Sequence, residues 1–347
     1  LGSRWVVKSG VMRTIITIAL FGLGGLLLSS CSDDAGDSGD DNVVNVYNWA
    51  DYIAPGVLEK FEAETGIKVN YDIYDSSEIV DVKLLAGNSG YDVIVHSNQF
   101  SSRLAPIGIY EKLDFSRLPN SRHLDPEILE RIKYEPVDGY NVPYHWGSTG
   151  YAWNVEMVRE RLPDHPMDSS DVLFDPEVIS KLADCGVSLL DGTTDVFPMA
   201  LAYLGRDPNA VDDESLAAAE EQIKKVRPYL RYFSNTKMMS DLPNKEVCVA
   251  MSWSGDYAQA QARAEEAGID MELRYTIPKE GSGLWVDGLY MPADAPHKDN
   301  AYLFLDFMMR PDIAAANVNN SRYANANASS WELLDPEILN NPAIFPT

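Results

Sequence analysis

At 347 residues, with 45% hydrophobic and 23% charged side chains, the chain is long enough for two ordinary domains, and its mixed composition excludes both wholesale disorder and a polytopic membrane protein. Its 28 Lys and Arg stand against 53 Asp and Glu, a formal net charge of -25. Such a surface repels a phosphate backbone, so nucleic acid is excluded as a partner, whereas a small cation suits it.

Thr14 to Leu28 is an uncharged apolar run (TIITIALFGLGGLLL) preceded by Met12 and Arg13. It has the form of a signal-peptide core and is shorter than the roughly 20 residues that a membrane-spanning helix needs. Leu28-Ser29-Ser30-Cys31 follows at once and resembles the lipobox of bacterial lipoproteins, which makes residues 1–30 a signal peptide with its start at Met12 and Cys31 the lipidated residue. Residues 31–42 (CSDDAGDSGDDN) contain five Asp and no large apolar side chain, the composition of an acidic tether; a calcium loop is disfavoured because the later Glu that such a loop needs is missing. Losing Arg4, Lys8 and Arg13 with the signal leaves 25 basic against 53 acidic residues, or about -28 for the mature chain. Cys185 and Cys248 then remain as an even pair, 63 residues apart. In an oxidising compartment such a pair points to a disulfide, with two buried free thiols as the alternative.

In the body, Val43–Tyr47 is a β-branched run, and Pro55–Thr65 places Val57, Leu58 and Phe61 on one helical face before Gly66. Ile67–Tyr74 alternates as a strand does; Asp75 and Glu78 have capping-box spacing ahead of a helix ending at Gly87, and Tyr91–Val95 is a third strand. This βαβαβ order predicts an α/β fold with a mostly parallel, doubly wound sheet. A second unit of the same style has a strand at Val187–Leu190, helices at Val196–Leu204 and Asp213–Val226, and a strand at Val247–Ser252. Tyr144–Gly150 and Tyr275–Gly281 are the expected crossing segments between the two units. Trp285–Met291 is a late strand, and Asn300–Met309 a helix stopped by Pro311.

Ligands of open α/β sheets bind beyond the carboxyl ends of strands. Those ends carry Trp49, Asp51 and Tyr52, Ser97, Asp195, Trp253 and Asp256, with Trp285 and Asp287 on the late strand. Rings attract an ammonium group and carboxylates pair with it, so this mixture suits an organic cation. Taken one by one, each Trp also reads as packing and Asp256 as a helix N-cap. Catalytic motifs are thin: there is no Gly-x-Ser-x-Gly, no Walker loop and no HExxH, and the five His are scattered without an i, i+4 pair. No cofactor or metal is expected. A carboxylate-based glycosidase is the enzymatic alternative, with Trp stacking on sugar.

Tyr47–Ile53 (YNWADYI), Phe61–Val69 (FEAETGIKV), Cys185–Ser188 (CGVS), Tyr203–Asn209 (YLGRDPN), Ile277–Gly281 (IPKEG), Met291–Ala295 (MPADA) and Tyr323–Asn327 (YANAN) make the chain, over about residues 43–347, similar to the polyamine-binding proteins of bacterial ABC transporters, most of all the putrescine-binding type. The resemblance implies a two-lobed periplasmic-binding-protein fold of type II, without catalysis, joined by a two-segment hinge. It implies lobe 1 at 43–146 plus about 278–322 and lobe 2 at 147–277 plus about 323–347. It further implies a monomer in the periplasm, lipid-anchored, that captures putrescine or spermidine and hands it to permease subunits in the inner membrane. Trp49, Asp51, Tyr52, Ser97, Asp195, Trp253, Asp256, Trp285, Asp287 and Tyr323 correspond to the family's ligand residues, and Cys185 with Cys248 to the disulfide of putrescine-type members. Three positions depart: Ala50 stands where Ser or Thr is usual, Asp195 where Glu is common, and Trp285 where putrescine-type members resemble Phe and spermidine-type members Trp. Relatives also continue beyond the position of Thr347, so a truncated C-terminus is expected.

Overall fold

A computed structural model describes residues 42–133 and 135–345. The signal peptide, Cys31 and nearly all of the acidic tether lie outside the described residues. Nine strands and the longer helices follow in chain order: β1 (Val43–Trp49), α1 (Val57–Thr65), β2 (Lys68–Tyr74), α2 (Ser77–Leu85), β3 (Val93–Ser97), α3 (Asn98–Leu104), β4 (Asn141–Asn154), β5 (Val187–Leu189), α4 (Thr193–Tyr203), α5 (Asp213–Val226), β6 (Leu230–Phe233), β7 (Val249–Trp253), α6 (Ser254–Glu266), β8 (Leu273–Thr276), β9 (Leu284–Tyr290), α7 (Lys298–Met308) and α8 (Pro311–Ser321).

Local chemistry sets several of these limits. Helix α1 buries Val57 and Phe61 and stops at Gly66, whose φ of 72° belongs to the left-handed region and whose N–H donates to the Glu62 carbonyl. Asp212 caps α5 by accepting from Ser215 N at 3.0 Å. Two expectations are corrected. Ser76, not Asp75, is the N-cap of α2, so Glu78 stands too early to close a capping box, and the Ser76 hydroxyl donates to it instead. Pro311 does more than end α7: it is the first residue of α8, where its missing N–H costs nothing.

The strand order is β2-β1-β3-β9-β4-β7-β5-β6, with β8 on β4. β1 is parallel to β2 and β3, and β5 is parallel to β6 and β7, but β9, β4 and β8 enter antiparallel. The two parallel triplets are therefore joined through antiparallel strands, a topology that a βαβ pattern read locally does not reveal. β4 makes the join: Asn141–Ser148 pairs with β9, and Thr149–Trp153 pairs with β7. One core surrounds Phe61, Leu118, Phe304 and Leu305, another Phe174, Ile179, Leu182 and Leu189, and Trp253 packs against both. A smaller cluster joins Ala258 of α6 and Val318 of α8 to Leu334, Ile338 and Ile344 near the C-terminus. The molecule has the two-lobed α/β architecture of periplasmic binding proteins. Cys185 and Cys248 form a disulfide, which excludes the free-thiol alternative.

Candidate functional site

The carboxyl ends of β1, β3 and β7 converge on a cavity of about 340 Å³. All ten residues singled out from the sequence line it: Trp49 at the end of β1 with Asp51 and Tyr52 after it, Ser97 at the end of β3, Asp195 in the first turn of α4, Trp253 at the end of β7 with Asp256 after it, Trp285 and Asp287 on β9, and Tyr323 just after α8. No Lys, Arg or His is among the lining residues.

Two buried carboxylates are held by phenols. The Tyr52 hydroxyl donates to Asp287 Oδ2 at 2.8 Å, and the Tyr323 hydroxyl donates to Asp256 Oδ1 at 2.6 Å. Asp287 is 4% exposed and Asp256 7%. Asp256 is the third residue of α6, whose N-cap is Trp253, so the capping role is excluded. Among the described residues nothing hydrogen-bonds to the remaining oxygens, Asp287 Oδ1 and Asp256 Oδ2. A third, half-buried carboxylate, Asp195, accepts from Trp253 Nε1 at 3.1 Å and from Thr149 Oγ1 at 2.8 Å.

Burial pushes the carboxyl groups of Asp256 and Asp287 up to about 7 against the opposing pull of the tyrosine hydrogen bonds, and the charge of Asp195 raises Asp287 further. Burial likewise raises Asp195, opposed by its bonds from Trp253 and Thr149. Tyr52 and Tyr323 are held well above the ordinary phenol range, first by burial and then by neighbouring carboxylates, so both stay protonated donors. The site stores unbalanced negative potential, which an incoming cation relieves.

The walls are aromatic. Tyr323 lies edge-on to Trp285 at 5.2 Å and to Tyr52 at 5.4 Å between ring centroids, while Trp49 sits 4.4 Å from Tyr74 and 6.5 Å from Trp253. Asp51 behaves differently from the buried pair. It is exposed at the mouth with φ 57°, and its carboxylate faces Arg263 Nη2 of α6 at 3.6 Å. Beside the mouth, Asn235 Nδ2 donates to the Asp75 carbonyl at 3.2 Å. The histidines stay out of the cavity: buried His96 and His145 contact Tyr110 and Ser321.

Sequence reasoning missed Tyr74, Glu78, Phe100, Asn235, Met239 and Gln259 among the lining residues, and Thr149 behind Asp195. Glu78 follows the end of β2, so the strand-end rule that found Trp49 applied to it as well. Thr149 has no such signal, because its place depends on which strand β4 pairs with.

The family profile of bacterial extracellular solute-binding proteins matches residues 56–347. The putrescine-binding periplasmic protein SpuD of Pseudomonas aeruginosa (strain UCBPP-PA14) is 44% identical over 94% of this chain and 90% of its own length. The putrescine-binding periplasmic protein PotF of Escherichia coli (strain K12) is 42% identical over 88% of this chain and 84% of its own. A solved structure described as a putative spermidine/putrescine ABC transporter from Listeria monocytogenes superposes with a TM-score of 0.79 at 33% identity, over 88% of this chain and 90% of that one. With this fold, this cavity and these relatives, the chain belongs to the bacterial extracellular solute-binding proteins.

Proposed function

We propose that the protein is an extracytoplasmic polyamine receptor, with putrescine as its favoured ligand and spermidine as a second one, that delivers its cargo to the permease subunits of an ABC transporter. The observation that carries this reading is an aromatic cavity with Asp256, Asp287 and Asp195 in its walls and no basic side chain among its lining residues. An aliphatic chain with ammonium ends fits both features: rings cover the methylenes, and carboxylates hold the charges. The relatives at 40–44% identity are putrescine-binding or putrescine/agmatine-binding proteins, which supports capture without catalysis and disfavours the glycosidase.

All ten residues singled out from the sequence are proposed as ligand contacts, with Asp51 acting at the mouth. The proposed lobes are 43–146 plus about 278–322 and 147–277 plus about 323–347. The two cores and the change of partner along β4 between Ser148 and Thr149 favour this division. The receptor works in the periplasm as a monomer, anchored through lipid on Cys31. Titration calorimetry with putrescine and spermidine tests the reading, with a melting curve beside it. Ligand at 100 times its Kd stabilises the fold by about 2.7 kcal/mol; neither heat nor a melting shift with any polyamine at millimolar concentration would end the proposal.

A further inference from the structure

Gly147 lies inside β4, directly opposite Trp285 of β9 in the antiparallel register. Its φ is not in the left-handed region, so the backbone does not require glycine there, and glycine weakens a strand interior. Its effect is steric. A Cβ at this position would lie 2.7 Å from Trp285 Cζ2, 3.0 Å from Cη2 and 2.7 Å from Ser254 Oγ, against the roughly 3.5–4.0 Å of ordinary carbon contact. The six-membered ring of the indole is therefore seated on a bare α-carbon.

The same device recurs beside it. A Cβ on Gly255, in the first turn of α6, would meet the Tyr323 ring at 2.5 Å, and Tyr323 stands edge-on to Trp285 at 5.2 Å. With Tyr323 packed against Gly255 and tied to Asp256, an indole displaced from Gly147 meets Tyr323 on one side and the cavity that it lines on another.

We propose that Gly147 is a specificity-determining residue: by letting the Trp285 indole lie back against β4, it gives the cavity room for a linear triamine as well as a diamine. Of the six carboxylates that line the site, Asp256 and Asp287 are buried and Asp195 half-buried, and a triamine brings three positive charges to these three. The volume of about 340 Å³ already lies within the roughly 300–1,000 Å³ of small-molecule sites, so a shift of the indole by a methyl group's width removes a useful share of it. The inference rests on the polyamine reading and adds to it the residue that sets ligand length.

Calorimetry on wild type, Gly147→Ala, Trp285→Phe and the double variant tests it, with putrescine and spermidine as probes. In the Trp285 background, Gly147→Ala raises the ratio of the spermidine Kd to the putrescine Kd by at least about tenfold, as a methylene-sized change in a pocket does. In the Trp285→Phe background, which lacks the two clashing carbons, the same substitution changes the ratio by less than about twofold, because the coupled partner is gone. If Gly147→Ala alone does not fold, Gly147→Ala with Ser254→Ala removes the hydroxyl clash and is read in the same way. An unchanged ratio in the Trp285 background overturns the inference, as does an equal shift in both backgrounds. Wild type that binds neither amine overturns the polyamine reading itself, an outcome distinct from binding with an unaltered ratio.

Discussion

Asp256 and Asp287 differ from the acidic surface around them in that each is buried and bonded to one phenol, with the other oxygen unpartnered among the described residues. A bound ammonium forms a desolvated ion pair with such a group, and truncating one partner of such a pair costs roughly 2 to 5 kcal/mol. Asp256→Asn and Asp287→Asn should each weaken putrescine binding by that amount in a calorimetric titration. Asp51→Asn, at an exposed position facing Arg263, should cost less than about 1 kcal/mol; wild-type affinity in both buried variants would refute the assignment. The same two groups set a pH dependence. Their carboxyls lie at about 7 in the ligand-free fold, above the ordinary carboxylate range. Between about pH 4 and 7 the folded protein thus binds more protons than the unfolded chain, and the ligand-free fold loses stability as pH rises through 7. Binding runs the other way, because a cation pairs with the ionised form. Lowering the pH from 8 to 6 should raise the Kd for putrescine, and titrations at pH 7 in buffers of different ionisation enthalpy should show proton release. A Kd flat across that range, with no proton release, would contradict this account.

β1, β3 and β7 supply the candidate site from their carboxyl ends, whereas β9 supplies Trp285 and Asp287 from within the strand, and the strand-end residues are the part of the candidate site that was legible in the sequence. Trp49, Ser97 and Trp253 are the last residues of β1, β3 and β7, and a rule about strand ends needs only the strands. Asn235 and Met239 were out of reach, since their place depends on how the segment after β6 folds back to the mouth. The antiparallel entry of β9 and β4 was out of reach for a related reason. A local βαβ pattern states handedness and order within one unit, whereas the register of Gly147 against Trp285 arises from strands more than a hundred residues apart. The disulfide sits at the opposite ends of the same elements: Cys185 precedes β5 and Cys248 precedes β7, and these neighbouring strands run parallel. Of the candidate-site residues, Trp253 ends β7 and Asp195 lies past the far end of β5. Closing a loop of 63 residues stabilises by roughly 4 kcal/mol on the chain-entropy view. Replacing both cysteines with Ala should lower the melting temperature while leaving the putrescine Kd within about twofold. A large loss of affinity in a variant that is still folded would mean that the bridge positions the site as well as bracing the sheet.

The whole molecule carries a formal charge of -25, and the candidate cavity is lined by six carboxylate side chains and no basic one. A cationic ligand therefore meets an attractive field long before it meets the aromatic walls, and fields of this kind raise association rates by roughly 10- to 1,000-fold at low salt. Screening acts on that long-range part, because the Debye length falls from about 30 Å at 0.01 M to about 10 Å at 0.1 M and 3 Å at 1 M. It acts little on buried pairs such as those proposed between the ligand and Asp256 and Asp287, which would govern escape. The two parts separate kinetically. Stopped-flow fluorescence, with Trp49, Trp253 and Trp285 in the cavity wall as reporters, should show the association rate for putrescine falling at least about tenfold between 0.01 M and 0.5 M salt, while the dissociation rate changes by less than about twofold. The fall should be steeper for spermidine, which carries one more charge. An association rate indifferent to salt would mean that the surplus acidic surface has no part in capture. A dissociation rate that climbs with salt would place the ion pairs in water rather than behind the aromatic walls.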